Sequence, residues 1–238
     1  MNMSNWLTRR RPVLNSHQRE RREQLVAPPQ TDQQPLHASR LIVLDLETSG
    51  LNLYRDQVLS IGAVAIEQGA IDMGQQFECT LFRPGHKVTE AVLLHGIAPS
   101  DIALGCAAAD GLLDFLEFAR GCVLFAFHAP FDQRMLGRSL KQDLGYRLQH
   151  RFIDVADMAP MLFPQADVGR GGLDDWLTYF GLLNSARHNA AADAQATAEL
   201  LLILLSKARQ QEIYRLEDLL QRLNRWRSLR QTRLSAHL

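Results

Sequence analysis

Cysteine is scarce in this chain, and long apolar runs are missing altogether. The three cysteines, Cys79, Cys106 and Cys122, form no CxxC pair, so we expect them to be small, buried apolar residues in a reducing compartment. No run of roughly 18 or more apolar residues occurs, which argues against a membrane-spanning helix and predicts no membrane partner. Together, these absences predict a cytoplasmic protein.

The amino-terminal residues also lack an apolar stretch. Arg9, Arg10 and Arg11 look like the start of a twin-arginine export signal, but a charged run through Arg22 soon follows them. An export signal needs an apolar region at that place, so we expect the chain not to be exported.

Neither sign of charge is in excess, since the chain holds 26 basic and 26 acidic residues. The charges are unevenly spread, however, with seven arginines and three acids in 1–40, eleven basic residues and twenty acids in 41–205, and eight basic residues and three acids in 206–238. The basic ends can be explained as solvated helix faces. An acidic middle also suits a nucleic-acid binder if some acids hold divalent cations, because the ions invert the local charge.

What the chain does contain is enough apolar side chain for a core. Its 238 residues, 46% hydrophobic and 22% charged, fit one domain of ordinary size with extensions. We predict a basic tail and proline-bearing linker at 1–39, with a candidate helix before residue 26. A domain at 40–208 and a basic helical extension at 209–238 follow.

The apolar pattern of the domain predicts an α/β fold. A continuous apolar run at 41–45 predicts a buried strand, and turns join it to strands at 58–66 and 71–82, so three antiparallel strands are expected first. The later pattern predicts strands at 123–127 and 152–153, a loop at 169–172, and helices at 89–94, 107–120, 173–180, 190–208 and 212–230. We therefore predict a mixed five-stranded sheet flanked by helices.

Two acids, Asp45 and Glu47, stand at the end of the first predicted strand. Side chains two apart on a strand point to the same face, so both carboxylates are directed to a place where repulsion and desolvation are costly. Such a pair occurs in metal sites. By itself, the simpler interpretation, a turn-capping acid beside an exposed one, is favoured.

Two further segments place an acid in the first turn of a predicted helix. Pro130 predicts that a helix begins after the fourth strand, with Asp132 in its first turn, and Asp193 has the same place in the helix from 190. His188 precedes that helix in a loop, and alanines at 190–192 keep the helix slim. Taken singly, both acids are predicted to be helix caps and His188 a surface residue.

Together, the motifs resemble the DEDDh family of 3′–5′ exonucleases, which includes the proofreading subunit of bacterial DNA polymerase III and has the ribonuclease-H-like fold. The resemblance covers about residues 40–208 and includes the segments 94–97 and 173–181. It rests on three motifs in the family's order and spacing, namely Asp45-x-Glu47-Thr48-x-Gly50, Ala129-x-Phe131-Asp132 and His188-x-Ala190-x-x-Asp193.

The resemblance implies a site of four metal-binding acids and a catalytic histidine. Asp45, Glu47, Asp132 and Asp193 would hold two divalent cations, Mg²⁺ or Mn²⁺, since hard oxygen ligands suit these ions. Asp45 would be shared between both ions. His188 would act as the general base that takes a proton from the attacking water.

Two positions bear on the place of this chain within that family. A second branch of the superfamily has a tyrosine four residues before the last acid, whereas this chain has Asn189 there, which points to the histidine branch. The family usually has asparagine where this chain has His128. Because that residue is not a metal ligand in the family pattern, we expect activity to survive the difference.

The resemblance also implies contacts with the terminal nucleotide. The family binds it after the first motif, here at Thr48, Gly50 and Leu51, with Leu51 pressing on the last base. His95 is expected near the same pocket. Leucine is usually buried, so Leu51 also has a purely structural interpretation as a core residue.

The function that the resemblance implies is hydrolysis of phosphodiester bonds from the 3′ end of DNA, at single-stranded or frayed ends, with release of nucleoside 5′-monophosphates. A DNA polymerase or another replication or repair protein is the expected partner. Two alternatives stay open. The first is an exoribonuclease that trims RNA ends or short oligonucleotides, since the catalytic acids do not read the 2′-hydroxyl. The second is a non-catalytic polymerase-accessory module, which loss of any one acid would have favoured.

Overall fold

The computed structural model describes residues 12–29, 32–85, 96–168, 171–184 and 186–235, with only the backbone of 233–235. The predicted helix at 89–94 and the predicted substrate contact His95 lie outside these ranges, as does part of the predicted loop at 169–172.

Within these ranges the chain forms five strands and eight α-helices. The strands are β1 (Leu41–Thr48), β2 (Val58–Glu67), β3 (Ala70–Thr80), β4 (Val123–Ala126) and β5 (Phe152–Asp154). The helices are α1 (Ser16–Glu23), α2 (Pro99–Ala103), α3 (Ala108–Ala119), α4 (Ala129–Ser139), α5 (Val155–Leu162), α6 (Leu173–Phe180), α7 (Ala190–Gln210) and α8 (Leu216–Ser235). A π-helical turn, Leu140–Leu144, continues α4.

The strands form one mixed sheet in the order β3-β2-β1-β4-β5. β1 pairs antiparallel with β2, which pairs antiparallel with β3, so the predicted antiparallel start is confirmed. β1, β4 and β5 run parallel, because helices carry the chain back between them. The carboxyl ends of β1 and β4 therefore lie side by side, and the loops that follow them meet at one edge.

Helices cover both faces of the sheet, so β1 is buried on both sides. Leu41 and Val43 pack into the apolar layer beneath α5, α6, α7 and α8. Ile42 and Leu44 enter the opposite layer, beneath α3 and α4. This alternation follows from the two-residue period of a strand, and it explains why the sequence of β1 is apolar without interruption.

The two extensions pack onto the sheet domain. Leu216, Leu219 and Leu223 of α8 are each no more than 1% exposed and belong to the α7 layer of the core. Leu14, just before α1, is buried in the opposite layer. The predicted boundary at 209 falls inside α7, because the apolar face of that helix continues to Ala208 and is completed by α8.

The cysteines differ from the prediction. Cys79 and Cys106 form a disulfide, and Cys122 is half-buried and unpaired. Leu81, which follows β3, bridges in parallel to Cys106, and this contact brings the two sulfurs together. The expectation of three small, buried apolar cysteines is therefore wrong, because all three are half-buried and the pairing of two of them depends on a tertiary contact that the spacing of the residues does not reveal. Among the described helices, none combines the length and apolar character needed to cross a lipid bilayer.

Candidate active site

The end of β1 directs two acids to the same face of the sheet. Asp45 and Glu47 continue the row of Leu41 and Val43, on the side that α7 covers. Asp45 lies directly opposite Gly62 of β2. The two carboxylates therefore lie where the amino end of α7 meets the sheet.

Gly62 lets α7 approach the sheet closely. A Cβ at this position would lie 2.1 Å from the backbone carbonyl carbon of Ala190, so no other residue fits there without moving the helix. Asp193 lies in the first turn of α7 and is brought against β1 by this contact. Three carboxylate oxygens, one from each of Asp45, Glu47 and Asp193, lie within 4.8 Å of one another.

Asp132 reaches the same place from α4. The N–H groups of His128 and Ala129, at the start of the helix, donate to Oδ1 of Asp154, at 3.0 and 3.3 Å. Because Asp154 satisfies these donors, Asp132 is not needed as a cap. Asp132 is only 4% exposed and lines the same cleft.

The four acids meet at one open cleft of about 500 Å³. Asp45 and Glu47 enter it from β1, Asp132 from α4 and Asp193 from α7. His128 and His188 also line the cleft. The structure thus brings together all five residues that the motif resemblance assigns to catalysis.

Burial and mutual repulsion act on the protonation of these carboxylates. The pKa of Asp45 is raised well above its usual range, first because the group is buried and then because Asp132, Asp193 and Glu47 repel its charge. Burial and the charge of Asp193 raise the pKa of Glu47 to about 7. Burial raises the pKa of Asp132 well above its usual range. Such a group of hard oxygen donors fits a divalent cation such as Mg²⁺, whose charge removes the cost of keeping them ionised.

Asp193 has partners that the sequence analysis missed. The guanidinium of Arg187 and the side-chain amide of Asn184 both donate to its Oδ1, and the N–H of His188 donates to its Oδ2 at 3.1 Å. Nε of Arg187 also lies 2.6 Å from Oδ1 of Asp174, at the start of α6. The sequence gives one indication of this pairing, which is that Arg187 directly precedes His188, the predicted general base.

Both histidines of the cleft are exposed and have left-handed backbone, each with φ 64°. His188 stands just before Asn189, whose side chain accepts the N–H of Ala192 at 2.9 Å and caps α7. Because Asn189 is the cap, neither His188 nor the acid in the first turn is needed for that purpose. The exposed imidazole of His188 lines the cleft together with the acids.

The loop after β1 carries the predicted nucleotide contacts. Leu51 is 83% exposed and lines the cleft, so its interpretation as a core residue is wrong. Thr48 is buried, and its hydroxyl donates to the carbonyl of Gly50 at 2.9 Å. Asp56 accepts the N–H of Asn52 at 2.7 Å and braces the loop. The fourth predicted contact is not among the described residues.

Comparisons with known proteins agree with this geometry. Residues 42–201 match the model of the RNase T exonuclease family. The DNA polymerase III subunit epsilon-like protein of Rhodobacter capsulatus is 34% identical over 176 residues, which are 72% of this chain and 24% of that protein. The PolC-type DNA polymerase III of Caldanaerobacter subterraneus is 32% identical over 167 residues, 70% of this chain and 12% of that protein. The chain thus spans about a quarter or less of these relatives.

Solved structures of exonuclease I share the fold. The Escherichia coli enzyme in complex with a dT13 oligonucleotide has a TM-score of 0.61 at 15% identity, covering 73% of this chain and 42% of that chain. The exonuclease I of Methylocaldum szegediense has a TM-score of 0.60 at 21% identity, covering 74% and 42%. The predicted ribonuclease-H-like sheet is therefore confirmed. Because the family model matches residues 42–201, which are more than half of the chain, the chain belongs to the RNase T exonuclease family, as its motifs indicate.

Proposed function

We propose that this chain is a metal-dependent 3′–5′ exonuclease that removes nucleoside 5′-monophosphates from single-stranded or frayed ends of DNA. The observation that carries the proposal is the meeting of four acids and an exposed histidine at one cleft. A non-catalytic accessory module would not need this costly group of buried and half-buried carboxylates.

The four acids are the cation ligands of the proposed enzyme. Two divalent cations, Mg²⁺ or Mn²⁺, would stabilise the charge of an in-line displacement at phosphorus and activate the attacking water. Asp45 lies among the other three acids, whose charges act on it, and would hold cations together with each of them. Glu47, Asp132 and Asp193 complete the set from three sides of the cleft.

His188 is the general base in this proposal. Its exposed side chain at the rim of the cleft takes a proton from the attacking water and releases it to solvent. We expect His188→Ala to lower the single-turnover rate by about 10²–10⁴-fold, the usual contribution of a general base. Binding of Mn²⁺ should persist, because the four carboxylates remain.

His128 provides the matched control for this variant, since it is an exposed histidine of the same cleft. His128→Asn should keep nearly the wild-type rate. Equal turnover of His188→Ala and wild type, or equal losses in both histidine variants, would remove the general-base role from His188.

The loop after β1 binds the terminal nucleotide in this proposal. The exposed side chain of Leu51 presses on the last base, and the backbone near Thr48 and Gly50 holds the sugar end. Asp56 accepts a hydrogen bond from the N–H of Asn52, and this contact within the loop holds Leu51 at the mouth of the cleft. His95 is retained as a further substrate contact on the motif resemblance alone.

DNA is preferred to RNA because the relatives are named for DNA polymerase III, and an exonuclease I of this fold holds a DNA oligonucleotide. The same names support a DNA polymerase or another replication protein as partner, and the cytoplasm as location. An exoribonuclease remains the second candidate, since the acids themselves do not distinguish the two substrates.

The proposal is tested by comparing three 5′-labelled substrates, namely single-stranded DNA, duplex DNA with a mismatched 3′ end, and RNA. Each is incubated with Mg²⁺, with Mn²⁺ and with chelator, beside an Asp45→Ala control. We expect a ladder that shortens from the 3′ end on both DNA substrates, only with metal and only in the wild type. A ladder on RNA alone would reject DNA as the substrate, and hydrolysis in chelator would reject the metal mechanism.

A further inference from the structure

A basic groove lies beside α4, outside the acidic cleft. Two adjoining cavities, of about 630 and 470 Å³, share Gln133, Arg147 and Leu148 and form this groove. No acid lines either cavity, although 41–205 holds twenty acids. The lining contains four of the eleven basic residues of 41–205, which are Arg134, Lys141, Arg147 and Arg151.

The cations of the groove are available to an anionic ligand. Arg134, Lys141 and Arg147 are exposed, and no acid among the described residues lies within 4.0 Å of their charged nitrogens. Arg151 pairs with Asp32 at 3.0 Å, but its side chain remains 53% exposed. Exposed, unpaired cations in a row are the feature that binds successive phosphates.

A buried histidine behind the same groove lacks a partner. His150 lines the larger cavity and is only 5% exposed, yet neither ring nitrogen has a hydrogen-bond partner in the part of the chain that the structure describes. Buried polar groups are nearly always paired in folded proteins. A phosphate oxygen in the groove, after a small shift of the neighbouring side chains, would give the imidazole its missing partner.

The groove is connected to the active site through α4. The first turn of this helix carries Asp132 into the cleft, and the next residue, Gln133, lines the groove. Lys141 lies nine residues beyond Asp132, roughly 13 Å further at the 1.5 Å rise of a helix. A strand whose 3′ end occupies the cleft therefore needs only a few nucleotides to reach the groove.

Both extensions of the chain contribute to the wall of the groove. Pro28 and Pro29 come from the linker before β1, and Leu220 comes from α8. All three lie outside the residues that match the family model, 42–201. The extensions thus complete the wall of a groove whose four cations lie within the matched residues.

We propose that this groove binds the phosphate backbone of single-stranded DNA upstream of the 3′ end that the cleft hydrolyses. The proposal rests on the exonuclease function proposed above. Tyr146, half-buried in the smaller cavity, offers a ring against which a base can stack. The groove is insensitive to sequence, because it presents charge and a ring rather than a pattern of donors and acceptors for base edges.

The test reverses the charge of three groove residues together, as Arg134→Glu, Lys141→Glu and Arg147→Glu. Binding of fluorescent dT20 and dT3 is measured by anisotropy in chelator, which requires no catalysis. Hydrolysis of the same oligonucleotides is measured with Mg²⁺. We expect at least a tenfold loss of dT20 affinity and of kcat/KM on dT20, with kcat/KM on dT3 unchanged.

Salt dependence supplies an independent readout. Because each phosphate contact contributes about 0.7 to the slope of log affinity against log salt for single strands, the triple variant should lose a slope of about 2 on dT20. The matched control reverses three exposed arginines elsewhere, as Arg19→Glu, Arg120→Glu and Arg209→Glu, and should behave as wild type.

The outcomes separate the two proposals. An unchanged dT20 affinity and salt slope in the groove variant would overturn the groove, and would direct attention to an acidic protein as its ligand. Equal losses in the groove variant and the control would also overturn it, since net charge alone would then explain the effect. Wild-type protein that binds dT20 but hydrolyses neither oligonucleotide would refute the exonuclease and leave the groove intact.

Discussion

Asp132 and Asp193 occupy equivalent places but are compensated differently. Each lies in the first turn of a helix that follows a loop at the edge of the sheet, and each is 4% exposed. Asp193 is paired with Arg187 and hydrogen-bonded to Asn184. Asp132 has no cationic partner among the described residues, and burial raises its pKa well above the usual range.

The difference shows that the two sides of the cleft accommodate buried charge in two ways. On the β1 and α4 side, Asp45 and Asp132 are disposed to hold protons. On the α7 side, a guanidinium neutralises Asp193. In the proposed enzyme, cations held by these acids would compete with protons on one side and with Arg187 on the other, so metal affinity would depend on pH and on the loop that carries His188.

The largest effects are expected from Asp132→Asn and Asp193→Asn. Both should lower the rate of hydrolysis by about 10³-fold or more, because each removes charge from the site that stabilises the transition state. Their effects on stability should differ in sign. In chelator, Asp193→Asn should cost about 1–2 kcal/mol because Arg187 loses its buried partner, whereas Asp132→Asn should be neutral or stabilising.

Urea unfolding in chelator, with rates measured in Mg²⁺, checks both parts of this expectation. Shifts of the unfolding midpoint in the same direction for the two variants would show that the two aspartates are not compensated differently after all.

A smaller effect is expected from Gly62→Ala, which acts on the α7 side alone. The added Cβ would meet the backbone of Ala190 at 2.1 Å, so the start of α7 must move away from β1 and carry Asp193 with it. We expect about a tenfold weaker response to Mg²⁺ and a loss of stability of about 1–3 kcal/mol. Gly74→Ala, on the exposed face of β3, is the control and should change neither quantity. A normal Mg²⁺ titration in Gly62→Ala would mean that close approach of α7 does not position its acid.

The last effect concerns stability alone, namely its pH dependence in the metal-free protein. Glu47 has a pKa near 7 when folded and near 4.5 when unfolded, so the folded state holds a proton that the unfolded state has released. Stability in chelator should therefore fall as pH rises through this window, by up to about 1.4 kcal/mol per pH unit for each such carboxyl. Asp45 and Asp132, whose pKa values are also raised, act in the same direction.

His150 acts in the opposite direction, since burial lowers its pKa to about 4 and stability rises with pH until its unfolded value of 6.5 is passed. Comparison of melting curves with and without Mg²⁺ cancels this contribution. Asp132→Asn should flatten the fall more than Asp193→Asn does. Curves in chelator and in Mg²⁺ that stay parallel from about pH 5 to about pH 8 would contradict the raised pKa values.

Local sequence patterns were sufficient to predict most strands of the sheet and the four acids of the cleft. The continuous apolar run of β1 and the turn after β2 are strong local signals, so the first three strands could be predicted. Helix α5 was not predicted, because Pro160 stands inside it and normally argues against a helix. The short β5 before it also gave little room for a periodic signal.

The compensation of charge could not be predicted from sequence. Asp132 and Asp193 each look like a helix cap, and only the structure shows that Asp154 and Asn189 perform that function. Asp154 is more than twenty residues from the helix start that it satisfies, and no local rule connects the two. Arg187 was missed for the same reason, since its significance arises from carboxylates on two different helices.

The burial of α8 has a practical consequence for anyone who shortens this protein. Leu216, Leu219 and Leu223 fill places over α5 and α7, although they lie beyond the family-matched residues 42–201. A gene trimmed to the matched region would encode a fragment in which the apolar surface of two helices is left uncovered. Such a fragment should aggregate during expression, and its lack of activity in an assay would not show that the intact chain is inactive.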